Sequence, residues 1–352
     1  MVDYLIVGSG LAGLAFCEEL EKHKRSFLMI DDASQLSSVV AGGMYNPVIL
    51  KRFTRVWRSE EQMAHLEEFY PRLEAKLGVK VDHKIPVLRR FASVEEQNNW
   101  FEAADKPGLN AFMEPKVIRK SVNHVDAPFG FGQVLRSGRI DTALLLKEYK
   151  TYLKAAGRLV EETFDYTALH CLEDHVSYKE HKAGNIVFCE GFGLKSNPYF
   201  NYLPLNGTKG ELLLIRAKGF DLDFVLKSSV FLLPLGNDLY KVGATYKWKD
   251  KTQEPTVESK EELEDKLRSF FKGSYEVIDQ FAGIRPTVAD RRPLVGRHPV
   301  YDRYYVLNGL GSRGVMIGPY AAPQLFAYIE NEIPMDPEMD IVRYKKKYQA
   351  IS

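Results

Sequence analysis

The sequence predicts an α/β fold, in which an open-sheet domain built on a βαβ unit is interrupted twice by a smaller mixed-sheet α+β domain. Three observations lead there. The first 31 residues run strand, glycine turn, helix, strand. The strand-to-helix style returns near residues 138 and 304. Between those returns the chain switches to short alternating segments that suit an antiparallel sheet.

Taken in order, an apolar run at 4–7 enters Gly8-Ser9-Gly10-Leu11-Ala12-Gly13, followed by a helix over 14–23 and a strand over 27–30. Leu14, Phe16, Cys17 and Leu20 gather on one side of that helix and Glu18, Glu19, Glu21 and Lys22 largely on the other. Such a helix lies against a sheet. A loop of small residues fills 33–43, and the charged, periodic stretch 59–77 predicts a helix. From 79 to 134 the pattern is mixed, with strand-like pieces such as 84–88. At Gly138-Arg139-Ile140-Asp141 the α/β style resumes, with Asp141 placed to cap a helix running through Leu144, Leu145, Tyr149 and Leu153. Strands over 158–161 and 185–189 follow. The block 210–281 holds strand patterns at 211–215, 230–233 and 239–244 and an amphipathic helix at 259–271. The tail pairs a strand at 304–307 with a glycine turn and a helix over 321–331. Residues 1–75, 138–209 and 282–352 are therefore expected to form one discontinuous nucleotide domain, with 76–137 and 210–281 as the substrate-side cap.

Composition narrows the function classes. A chain of 352 residues exceeds what one hydrophobic core usually serves. Its 48 basic and 47 acidic residues leave a net charge of +1, so neither nucleic acid nor an anionic membrane surface is an expected partner. Cys17, Cys171 and Cys189 are odd in number and widely spaced, which fits a reducing compartment better than a disulfide framework. A strand beginning at residue 4 leaves no room for a signal peptide, and no apolar run approaches the roughly 18 residues of a span. A cytoplasmic protein is expected. Nothing in the sequence fixes an oligomeric state.

Gly8, Gly10 and Gly13 satisfy the G-x-G-x-x-G spacing, and each has a mechanical reason to lack a side chain. The first permits a tight turn, the second admits a pyrophosphate to the backbone, and the third lets helix and strand pack closely. The helix N-terminus supplies amide donors and partial positive charge. Asp31 ends the next strand where an acid meets a ribose hydroxyl, with Asp32 as the second choice. The spacing recurs at Gly309-Leu310-Gly311-Ser312-Arg313-Gly314, but no strand and terminal acid follow it. The second loop is thus expected to offer a helix N-terminus for negative charge rather than a second dinucleotide site. One complete unit favours FAD alone over FAD with a docked nicotinamide.

The fingerprint, the loop Ser37-Ser38-Val39-Val40-Ala41-Gly42-Gly43 and the tail Gly283-Ile284-Arg285-Pro286, Asp290, Pro293, Val295-Gly296 and 309–314 together resemble the FAD-dependent D-amino-acid oxidase superfamily. The glycine oxidase and sarcosine oxidase branch is the most similar, and residues 138–157 and 186–193, including Gly191, extend the likeness. The resemblance implies a Rossmann-like FAD-binding domain of glutathione-reductase type with an inserted substrate domain. It implies that Ala41, Gly42 and Gly43 line the flavin ring, and that Gly311, Ser312, Arg313, Gly314 and Val315 approach its pyrimidine end. It further implies noncovalent FAD, since no cysteine lies near the tail motif.

By the same resemblance, Arg285 stands where a guanidinium pairs with a substrate carboxylate; a structural salt bridge is the alternative. Lys241 stands where sarcosine oxidases place a lysine beside the flavin; a solvent-facing strand lysine is the alternative. His298 and Tyr246 are weaker catalytic candidates. The activity implied is oxidation of a C–N bond in a small amine or amino acid by hydride transfer to flavin N5, with oxygen or another acceptor taking the electrons. Two other readings stay open: oxidation of a side chain on a transfer-RNA wobble uridine, and a flavin-binding subunit that needs a partner.

Overall fold

The computed structural model describes residues 1–349. Val2–Val7 is the central strand of the first sheet, parallel to Phe27–Ile30 on one side and His181–Phe188 on the other. Tyr4, Leu5, Ile6 and Val7 are all buried, as a parallel strand covered on both faces requires. Leu159–Val160 continues the sheet beyond Phe27–Ile30. On its far side His181–Phe188 forks. Its first half pairs antiparallel with Val176–Tyr178, which pairs with Leu169–Cys171, and its last three residues pair in parallel with Tyr304–Asn308. Leu294–Arg297 closes that edge.

The helices Leu11–Lys22, Ser59–Leu77 and Gly314–Asn331 share one core, in which Phe16, Leu20, Leu66, Leu73 and Leu325 are all buried. The expected helix 59–77 and strand 27–30 have the expected ends. Asp141 caps Thr142–Ala155 through the Leu144 amide, 3.1 Å away.

The last helix begins at Gly314, well before the expected 321, and runs through Pro319 and Pro323. A proline in a helix interior withholds the amide that would satisfy the carbonyl four residues earlier. At Pro319 that carbonyl belongs to Val315, and the hydroxyl of Tyr70 donates to it instead, at 2.9 Å. A bond from another helix, invisible in local sequence, lets this one continue. The 79–134 region also contains an unanticipated helix, Val94–Ala104, whose Ser93 Oγ accepts from the Glu96 amide at 3.2 Å.

The second sheet has seven strands in the order Glu276–Arg285, Thr208–Arg216, Leu239–Gly243, Phe231–Gly236, Val225–Lys227, Val87–Arg90, Phe131–Val134. All neighbours are antiparallel except Val225–Lys227 with Val87–Arg90. Leu213, Ile215, Leu232 and Val242 point to one face, where Leu263 and Leu267 of the helix Val257–Arg268 cover them. The opposite face meets the loop after Ser37–Val40. No helix among the described residues is long and apolar enough to cross a membrane.

Tyr70→Phe keeps the ring but leaves the buried Val315 carbonyl without its donor. Equilibrium urea unfolding should show a loss of about 1–3 kcal/mol at an unchanged m-value. A loss within error would mean that the helix tolerates Pro319 without this bond.

Candidate active site

Leu11–Lys22 enters the site end-on. Gly13 packs so tightly on the loop that a Cβ there would stand 2.0 Å from the Gly8 carbonyl oxygen. The Gly8 amide donates to Ile30 O at 2.9 Å, which ties the turn to the neighbouring strand end. Gly10 is the N-cap and supplies no side chain, no acid lies in the first turn, and the Leu11 amide reaches only Ser38 Oγ at 3.4 Å. Apart from that long contact, the first-turn donors, including those of Ala12 and Gly13, have among the described residues no N-cap side chain of the kind that Ser93, Asp141 and Thr256 provide to other helices.

Asp31 lies directly after Phe27–Ile30, where its Oδ1 accepts from the Ser9 amide at 3.0 Å and its Oδ2 from Lys150 Nζ at 2.7 Å and the Ala33 amide at 3.1 Å. A carboxylate has about four acceptor positions, so capacity for about one ribose hydroxyl remains. Asp32 turns away, to the Ser34 amide at 2.9 Å and Thr163 Oγ1 at 3.0 Å. Burial raises its pKa, but these hydrogen bonds outweigh it and hold the carboxyl below the ordinary aspartate value.

The second glycine turn comes to the same place. A Cβ on Gly314 would lie 2.9 Å from Leu11 Cδ1, so the first and last helices converge at their N-termini. Gly311 donates its amide to Pro286 O at 3.1 Å, Ser312 is exposed, and Val315 is buried in the helical core. Arg313, the N-cap of the last helix, donates Nη1 to Asn46 O at 3.2 Å. Gly191 follows the forked strand and gives its carbonyl to Asn308 Nδ2 at 3.1 Å.

Ala41, Gly42 and Gly43 sit between these turns and the second sheet. Gly42 faces the Phe231 ring, 3.3 Å from where its Cβ would be, and the Gly43 carbonyl accepts from the Ile140 amide at 2.9 Å. Lys241 does not point to solvent: its Nζ donates to Ala41 O at 3.3 Å, and burial lowers its pKa.

Arg285 crosses over Gly210, where a Cβ would stand 1.9 Å from its Nη2. Its Nη1 donates to Thr245 O at 3.2 Å, and the guanidinium lies 4.3 Å from the centroid of the Tyr246 ring. No carboxylate among the described residues pairs with Arg285, Arg313 or Lys241, unlike most cations of this chain. Burial lowers the pKa of both arginines, and Tyr246 opposes that shift at each. The salt-bridge alternative for Arg285 therefore has no partner here. His298 is elsewhere, buried among Tyr199, Phe200 and Tyr301, with its Nδ1 accepting amides from Val300 and Tyr301 at 3.1 Å.

Sequence reasoning missed Ser38, Lys150, Phe231 and Glu190. Lys150 carried a signal, since a lysine on the Asp141-capped helix can reach the end of the second strand. Glu190 is buried beside Gly191, accepting from Asn197 Nδ2 at 2.8 Å and from the Tyr166 hydroxyl. Burial pushes its carboxyl up to about 7.

An uncapped helix N-terminus over a close-packed glycine turn and an acid at the second strand end, with a second uncapped helix converging on the first, have the form of a dinucleotide-binding site. The family model for FAD dependent oxidoreductase, DAO, matches residues 3–327, and the chain belongs to this family. FAD is its cofactor. Within the family it is glycine oxidase-like. It is 28% identical to glycine oxidase of Bacillus licheniformis, over 90% of each chain. The crystal structure of glycine oxidase from Bacillus cereus ATCC 14579 has a TM-score of 0.77 at 18% identity, covering 95% of this chain and 96% of that one. It is also 27% identical, over 99% of its own length but 56% of the relative's, to a tRNA 5-methylaminomethyl-2-thiouridine biosynthesis bifunctional protein of Legionella pneumophila.

Between the ordinary glutamate value of 4.5 and about 7, the folded chain keeps a proton at Glu190 that the unfolded chain releases. Stability should therefore fall as pH rises through that window and level off above it. In Tm measured against pH, Glu190→Gln should lose this decline; an unchanged slope would assign it to another group.

Proposed function

We propose that this FAD-dependent oxidoreductase oxidises the C–N bond of a small amine that carries a carboxylate. The observation that supports this is Arg285, a half-buried guanidinium held by one carbonyl and one aromatic face, with no carboxylate partner among the described residues. Its planar fork suits a carboxylate, to which it donates two parallel hydrogen bonds. Gly8, Gly10, Leu11, Ala12, Gly13 and Asp31 would hold the dinucleotide. Ala41, Gly42 and Gly43 would border the ring, and the turn 311–314 would face its electron-rich end.

When bound, FAD would supply an acceptor for a hydride from the amine-bearing carbon and would then hand the electrons to oxygen or another acceptor. The chain's own contribution is placement: Arg285 anchors the carboxylate and thereby fixes which carbon faces the ring. The resulting imine then hydrolyses. Lys241 keeps an ammonium against the Ala41 carbonyl, where positive charge favours reduction of an acceptor. A cytoplasmic location fits the three unpaired cysteines.

Anaerobic mixing of the purified yellow protein with a panel of amines should bleach the flavin with carboxylated amines and not with their decarboxylated counterparts. Bleaching by neither group would overturn this reading and favour a subunit that needs a partner. Arg285→Lys keeps the charge but loses the fork, so apparent KM for carboxylated amines should rise at least about tenfold, equivalent to about 1.4 kcal/mol. An unchanged KM would remove Arg285 from carboxylate binding. In stopped-flow measurements Lys241→Met should slow reoxidation by oxygen about tenfold, as loss of one nearby charge predicts, while reduction by substrate slows much less. Equal slowing of both steps would point to a structural lysine.

A further inference from the structure

One face of the second sheet collects cations. Thr208 pairs with Arg285, Gly210 with Gly283, and Leu212 with both Phe281 and Gly243; Gly243 pairs with Phe231, Phe231 with Lys227, and Lys227 with Arg89. Residues opposite one another, or two apart on a strand, share a face. Arg285, Lys241, Lys227 and Arg89 therefore share the face on which Phe231 meets Gly42 and Lys241 meets Ala41. Glu96 neutralises Arg89 at 2.6 Å. The other three have no ion-pair partner among the described residues.

Lys227 is the one for which the carboxylated-amine reading has no use. Its Nζ lies 5.6 Å from the centroid of Phe231, the ring that packs against Gly42. The charges acting on it, from Arg89, Lys266 and Arg285, are all positive. Burial together with this repulsion pushes its ammonium down to about 8. Half-burying mutually repelling cations opposes folding, and a ligand carrying two negative charges would reverse the sign of the interaction. The geometry suits such a ligand. Arg285 leans over the strand Thr208–Arg216 and Lys227 over Phe231–Gly236, two strand spacings apart. At about 4.8 Å per spacing, with the two-residue offset of Gly210 from the level of Phe231 adding about 7 Å along the strand, that is roughly 12 Å, the span of a small dicarboxylate with an ion pair at each end.

We infer that the substrate site takes a dianionic amine, with one carboxylate at Arg285 and a second at Lys227. This rests on the reading of Arg285 as a carboxylate anchor, and its test separates the two. The FAD-loaded protein is titrated with redox-inert succinate and glutarate, and with acetate and butyrate, following perturbation of the flavin absorption band. Dicarboxylates should bind at least tenfold more tightly than monocarboxylates. Lys227→Met should erase most of that preference, and Lys227→Arg should restore it. In turnover, Lys227→Met should raise the KM for iminodiacetate at least tenfold more than the KM for glycine. No dicarboxylate preference in the parent protein, or equal losses for both classes in Lys227→Met, would overturn the inference. A lysine-dependent dicarboxylate preference in a protein that bleaches with no amine would support the two-cation site while removing the amine-oxidation reading.

Discussion

The place where Gly13 would carry a side chain is filled by the Gly8 carbonyl, 2.0 Å from where a Cβ would stand. That contact seats the first helix against the first strand and sets the direction of its N-terminal amides. The Gly8 amide is held by Ile30, so the same turn fixes where the second strand delivers Asp31. Leu11, one residue past the N-cap, is the surface on which Gly314 rests, so the last helix takes its position from the first. Two segments from opposite ends of the chain thereby aim their positive ends at one gap. Any bulk at Gly13 would disturb all of these relations together.

Much of this was legible because it is local. The strand 27–30 and the helix 59–77 are each set by an uninterrupted apolar period, and the Asp141 cap lies three residues from the amide it serves. The glycine spacing works in the same way. What could not be read depends on partners distant in sequence. Pro319 suggests a helix break until Tyr70 is seen donating to Val315. The Val94–Ala104 helix is a different case: its Ser93-x-x-Glu96 box is local and legible, but the surrounding strand-like text obscured it. The forking of His181–Phe188 requires two strands from either side of it in sequence to share one edge. At the site, Lys241 reads as an ordinary strand lysine because its acceptor, Ala41, lies 200 positions away.

The second sheet divides its two faces between stability and ligand. One is a conventional core against Leu263 and Leu267. The other mixes Leu212, Phe231 and Leu233 with three cations that have no ion-pair partner among the described residues. Alternation along a strand makes this division inexpensive to encode, since moving a residue by one position transfers it between faces. Phe231 illustrates the consequence. Its ring packs against the loop at Gly42 while Lys227 lies over it, so one side chain supports both that loop and the charge beside it.

Helix capping shows a similar division along the whole chain. Ser93, Asp141 and Thr256 each close the N-terminus of a helix away from the glycine turns. Ser59–Leu77 lacks a side-chain cap but has Glu60 and Glu61 in its first turn, where negative charge meets the helix dipole favourably. The helices that begin at Leu11 and Gly314 have neither a side-chain cap nor an acid in the first turn. A cap is typically worth about 1 kcal/mol, so withholding it from these two helices lowers the stability of the chain alone. An anion bound at those termini restores the interaction, and a ligand that binds only the folded chain stabilises it by mass action. The two helices that begin at the glycine turns are therefore left with N-terminal charge that their own side chains do not offset.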